Sequence, residues 1–188
     1  VRSAQMGYQV KADGNVTITV GDLTEKDCST ETCLPNIRNE LVVIDLESKT
    51  GSIHEMPLPV ANPTVLSLGK GRVLIAGGIA PAFGGIGGAP AATGNVATDR
   101  VWIAQIGSGT EVTVTEVGTM SVPRVGAAAL CQNDACDSVL IVGGNREGSV
   151  AEVMSLSGEE TLFIPVTIEG LPPKIAGPSL CNGNLLGG

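Results

Sequence analysis

The sequence predicts an all-β chain built from a repeated unit of four antiparallel strands. Three observations predict it. First, an apolar strand runs into a glycine pair, or a near copy of one, four times: Val16-Thr17-Ile18-Thr19-Val20-Gly21-Asp22, Val73-Leu74-Ile75-Ala76-Gly77-Gly78, Val139-Leu140-Ile141-Val142-Gly143-Gly144 and Leu185-Leu186-Gly187-Gly188. Second, 26 Gly and 11 Pro among Val-rich runs suit short strands and turns. Third, apolar residues nowhere recur at helical spacing over several turns. A unit that recurs in this way cannot bury its apolar face alone, so neighbouring copies must stack.

The first unit reads as strand 6–10, turn Ala12-Asp13-Gly14, strand 15–21, a loop, strand 40–46, turn 48–51 and strand 52–56. The second repeats that order as 64–68, turn Gly69-Lys70-Gly71, 72–78, a long loop, 101–106, turn Gly107-Ser108-Gly109 and 112–117. In the third, Pro123-Arg124 opens the unit and 125–130 is a small-residue strand. Then come the polar turn Cys131-Gln132-Asn133-Asp134-Ala135-Cys136, the glycine-ended strand, and strands 151–156 and 161–168. A fourth begins near Pro173 and stops at Gly187-Gly188. Four antiparallel strands joined by tight turns make one β-propeller blade. Val112-Thr113-Val114-Thr115 alternates as a half-exposed outer strand should, and the unbroken 139–142 run suits a strand next to the central axis. The expectation is therefore an incomplete propeller segment over 1–188. Its approximate repeats are 1–56, 57–122, 123–172 and a truncated 173–188, about three complete blades plus a partial one, in what is expected to be part of a longer chain.

These residues resemble the Kelch-repeat family, whose third strand begins with an Asn/Asp-acidic-apolar stretch. Asn39-Glu40-Leu41-Val42-Val43-Ile44-Asp45-Leu46-Glu47-Ser48-Lys49-Thr50-Gly51 matches that strand and its turn closely, and Ala151-Glu152-Val153-Met154-Ser155-Leu156 matches more weakly. The family's paired Tyr and Trp are largely replaced. Ile44 and Met154 stand near the Tyr positions, Ile53 and Leu162 near the Trp, and Trp102 is the lone aromatic in such a strand. The resemblance implies Kelch-like blades, with function carried by loops at the propeller faces. There, loop-borne arginines contact acidic partners. Arg100, Arg124 and Arg146 lie beside such loops and Phe83 lies within the long one, so these four are the partner-binding candidates, against the ordinary alternative of surface side chains.

A net charge of −8 argues against a nucleic-acid or anionic-membrane partner, and no apolar run approaches the ~20 residues of a membrane span. Five cysteines form two C-x4-C pairs, Cys28/Cys33 and Cys131/Cys136, plus Cys181. Two local disulfides in a secreted or cell-surface protein are the expected reading. Reduced thiols and a zinc site compete, although the chain has a single histidine. Cys181 is then unpaired or paired outside the segment.

The stretch Phe83-Gly84-Gly85-Ile86-Gly87-Gly88 lacks the following Lys or helix that a phosphate cradle needs, so it reads as a loop. His54 reads as a surface histidine on an outer strand. Asp13, Asp22, Asp45, Asp99 and Asp134 fall at turns, where Asp caps local backbone. Asn15-Val16-Thr17 is a glycosylation sequon. The sequence thus predicts no catalytic residue, no cofactor and no metal. It predicts a non-enzymatic extracellular binding or structural module that presents propeller loops to a protein or glycan partner, or to neighbouring subunits of an assembly. The alternative is a portion of a larger carbohydrate-active or oxidase propeller enzyme whose catalytic residues lie outside this segment.

Overall fold

Leu41 and Val43 turn to one side of their strand and are buried, while Ile44 turns to the other and is exposed. That two-residue period, repeated along the chain, organises the fold. In the computed structural model, residues 8–13, 16–20, 23–24, 36–37, 39–84, 91–107, 111–144, 151–157, 161–170, 179–181 and 184–186 are described. Cys28, Cys33 and Arg146 lie outside them, as do the sequon's Asn15 and most of the glycine-rich stretch.

The first unit comprises β1 (Tyr8–Asp13), β2 (Val16–Val20), the short β3 (Leu23–Thr24) and β4 (Asn36–Ile37), β5 (Glu40–Asp45) and β6 (Thr50–Glu55). The second comprises β7 (Thr64–Gly69), β8 (Arg72–Ala76), β9 (Ile79–Gly84), β10 (Ala91–Ala97), β11 (Arg100–Ile106) and β12 (Val112–Thr119). In the third are β13 (Ala128–Cys131), β14 (Ser138–Val142), β15 (Ala151–Ser155) and β16 (Leu162–Val166), and then follow β17 (Ser179–Cys181) and β18 (Asn184–Leu186). All described strands pair antiparallel. Units 1 to 3 are four-stranded meanders ordered β1-β2-β5-β6, β7-β8-β11-β12 and β13-β14-β15-β16, while β17 and β18 pair as two.

The glycine-ended strands β8 and β14 lie second in their sheets, and the small-residue strands β7 and β13 take the edge. Their apolar runs are buried because each sheet packs on both faces, with Ile75 and Leu74 entering two different cores and Ile141 and Val142 likewise. The long loop expected between the second and third strands of unit 2 is corrected: β9 and β10 within it pair antiparallel, with Ile79 opposite Ala97 and Phe83 opposite Ala92. The third unit's first strand also starts later than expected, at Ala128. Before it, Gly126 takes φ 60° and donates its N–H to the Asn62 carbonyl, tying the chain back to unit 2.

The units stack face to face. Leu41 and Val43 of unit 1 share a core with Val73, Ile75, Trp102 and Ala104 of unit 2. The other face of unit 2, with Leu74, Ala76 and Val101, shares a second core with Val139, Ile141 and Met154 of unit 3. The first strands follow one another in contact, β1 against β7, β7 against β13 and β13 against β17. Among the described residues, the glycine pairs 77–78 and 143–144 sit where connecting chain crosses the sheet end. Gly77 and Gly78 have φ 65° and 102° and donate to the carbonyls of Arg100 and Arg124 at 2.9 and 2.7 Å. A Cβ on Gly78 would stand 2.8 Å from the Ala61 carbonyl oxygen, so a side chain cannot be accommodated without displacing backbone.

Candidate functional site

Meander order divides the connections between two ends. At one end lie the connections between first and second strands and between third and fourth strands, among them the described turns 46–49, 70–71 and 132–137. At the other lie the links between units and the second-to-third-strand connections, of which the hairpin strands and residues 77–78 and 143–144 are described. Two of these long connections carry hairpins of their own, β3–β4 and β9–β10. Gly77 and Gly78, Gly143 and Gly144, Arg100 and the backbone of Arg124 all belong to this end.

The predicted residues fare differently there. Arg100 is exposed, and its Nη1 donates to Glu116 Oε2 at 3.0 Å in a surface ion pair worth about 0–1 kcal/mol. Arg124 is a correction. Rather than facing a partner, it is completely buried: Nε donates to Glu152 Oε1 at 2.7 Å and Nη1 to the Gly143 carbonyl at 2.7 Å. The second carboxylate oxygen of Glu152 accepts the Ser121 N–H at 2.8 Å. Arg124 thus fastens the link between units 2 and 3 to the middle of unit 3. Sequence reasoning missed this role, and the available signal was Glu152 itself, a lone acid within an apolar strand. Phe83 stands in β9, but its side chain lies outside the described residues, as does that of Cys181 in β17.

Cys131 and Cys136 are joined by a disulfide across the turn between β13 and β14, with Cα atoms 4.9 Å apart. Cys136 takes φ 50°, and its N–H donates to the Asn133 carbonyl at 3.1 Å. The bridge holds a turn whose residues Gln132 to Ala135 are exposed.

His54 proves part-buried rather than fully exposed on its strand. It lines a cleft of about 370 Å³ between β6 of unit 1 and the β11–β12 turn of unit 2, with Gln105, Gly107, Glu111, Val112 and Thr113. His54 Nε2 and Ser52 Oγ are 2.7 Å apart, which fixes the ring plane. Gln105 Nε2 donates to the carbonyls of Lys70 and Ile106, so its amide is held and its Oε1 is left as the acceptor end. A carboxylate, a hydroxyl, an amide and an imidazole around one apolar side chain suit a ligand rich in hydroxyl groups. Among the described residues, no three His, Cys, Asp or Glu side chains are grouped to hold a metal ion.

In the β5–β6 turn, Asp45 caps the backbone. Its Oδ2 accepts from Ser48 Oγ at 2.8 Å and its Oδ1 from the Glu47 N–H at 2.9 Å. These bonds, the Ser48 hydroxyl first, hold its carboxyl below the usual carboxylate value.

No family model and no curated protein matches the chain. A solved structure described as "Structure of YjhT" is similar, with a TM-score of 0.64 at 12% identity over 97% of this chain. This chain spans 57% of that one. The likeness speaks for the all-β fold alone.

Proposed function

We propose that this chain is a segment of a Kelch-type β-propeller, each four-stranded unit a blade, acting as a non-enzymatic extracellular module that binds a protein or glycan. The blade reading is supported by the succession of first strands β1, β7, β13 and β17, each against the next, as inner strands around a common axis would lie. The recognition reading rests on one observation. The long connections gather at one end of the sheets, and two of them are built out into hairpins. Loops held on a stacked scaffold are where binding residues concentrate. The disulfide between Cys131 and Cys136 is in keeping with a secreted or cell-surface setting.

The experiment replaces residues 82–94 with Asn-Gly, so that Pro81 and Asn95, already cross-strand partners, close a two-residue hairpin. Both proteins are screened on a glycan array and on intact cells. The reading expects saturable binding by the parent chain that the shortened variant loses while its melting temperature holds. Equal binding by both, or turnover of a glycoside or alcohol by the parent chain, overturns it.

A further inference from the structure

The junction between units 1 and 2 is closed differently from the junction between units 2 and 3, and register shows where. Val20 and Ala76 each precede a glycine pair or its near copy. Val20 pairs with Leu41 and Leu41 with His54, while Ala76 pairs with Val101 and Val101 with Gly118. His54 therefore stands in unit 1 where unit 2 has Gly118. On the facing side, Ala104 and Val114 of unit 2 stand where unit 3 has Met154 and Phe163. Ala104 pairs with Val73 and Val114, and Met154 with Val139 and Phe163. At the second junction the Phe163 ring lies over Gly118, so close that a Cβ there would be 2.8 Å from it. That ring seals the outer strands together. At the first junction both facing side chains are smaller, and the ring comes from the other side, as an imidazole 2.7 Å from Ser52 Oγ. The seal is incomplete, and the cleft of about 370 Å³ stays open beside His54.

We infer that this cleft binds a single neutral sugar ring. Its volume falls at the lower end of the about 300–1,000 Å³ found for small-molecule sites. Val112, which packs against the core of units 1 and 2, gives it an apolar wall, and the His54 imidazole gives it a flat one. Glu111, Gln105 and Thr113 supply the polar atoms. The Gln105 Nε2 is engaged by the Lys70 and Ile106 carbonyls, so the amide offers a ligand its acceptor oxygen, and an ionised Glu111 only accepts. Such a lining calls for several donors set close together on a compact body with an apolar face. Adjacent hydroxyls and the C–H face of a pyranose have that form. The Glu111 carboxylate, in a chain of net charge −8, disfavours phosphate and carboxylate ligands. A single exposed carboxylate gives a lone amine little hold. The cleft contains no residue of the second-to-third-strand connections, so this inference stands apart from the recognition role proposed above.

His54 is the only imidazole in the chain, so its ring C–H signals in a carbon–proton NMR correlation report on the cleft without ambiguity. The probes are the methyl α-pyranosides of glucose, galactose and mannose, titrated separately into the full chain at constant pH. At least one is expected to shift the His54 signals saturably at millimolar concentration. Glu111→Ala is expected to weaken that binding at least tenfold without moving the melting temperature, because the side chain is exposed. Should the truncation disturb the turn, Glu111→Gln keeps the shape, removes the charge and carries the same test. The chain with its β9–β10 hairpin shortened is expected to bind the same glycoside equally well, which separates this site from the long-connection end. No saturable shift with any of the three overturns the proposal, as does binding that both Glu111 variants leave unchanged. Loss of glycoside binding on shortening the hairpin overturns it too. So does a response to methylammonium chloride as strong as that to the glycosides, because the occupant would then be a cation.

Discussion

Glu152 sits in register between Ile141 and Pro165 on strands otherwise rich in aliphatics, a position where an unpaired carboxylate would be untenable. Arg124 makes it tenable by arriving from the link between units, and Ser121 and Gly143 satisfy the remaining polar atoms. Removing one partner strands the other charge in the core. Glu152→Ala is therefore expected to cost about 3–5 kcal/mol in urea denaturation, and Arg124→Met combined with Glu152→Leu to recover most of it. Single variants that lose less than about 1 kcal/mol would contradict the buried pair. Asp45 is a second test at this scale. Its folded-state pKa is depressed, so the stabilisation is present above the unfolded carboxylate value and is lost as pH falls through the lower folded value. Carbon-detected NMR titration should place Asp45 below 3.8, and Ser48→Ala should move it back up. A midpoint at or above 3.8 in the parent chain would contradict the cap.

The turn between β13 and β14 is closed by its disulfide over a sequence separation of five. So short a loop restricts the unfolded chain modestly, and Cys131→Ser with Cys136→Ser is expected to lose about 2 kcal/mol. A reduced, alkylated sample should show the same loss; equal stability with and without reductant would contradict it. At this scale the strands were largely legible in the sequence, because Val-rich runs ending in glycine pairs carry both the period and the stop signal. The hairpin β9–β10 was not legible, since Ile79-Ala80-Pro81-Ala82 and Ala91-Ala92-Thr93-Gly94 offer small residues, a proline and a glycine where strand signals are usually β-branched or aromatic. Arg124 was misread because a residue after a proline at a unit boundary looks like a loop. Its partner lies 28 residues away, beyond any local pattern.

The whole molecule is a stack in which each four-stranded unit contributes one face to each neighbour, and its aliphatics replace the aromatics that the family resemblance leads one to expect. Three of the four replacements, Ile44, Ile53 and Leu162, are exposed at 38%, 66% and 54%, whereas the fourth, Met154, is buried in the core that units 2 and 3 share. The cleft at His54 also belongs to this scale. It exists only where unit 1 meets unit 2, and no single stretch of sequence contains it. Repetition is the central claim, and hydrogen exchange followed by mass spectrometry tests it most directly. Protection should follow a strand's place within its unit. The second strands β8 and β14, paired on both sides, should exchange slowest, and the outermost strands β6, β12 and β16 fastest, with the same order in each unit. Protection that instead rises or falls along the chain, or that makes β12 or β16 the slowest strand, would contradict it.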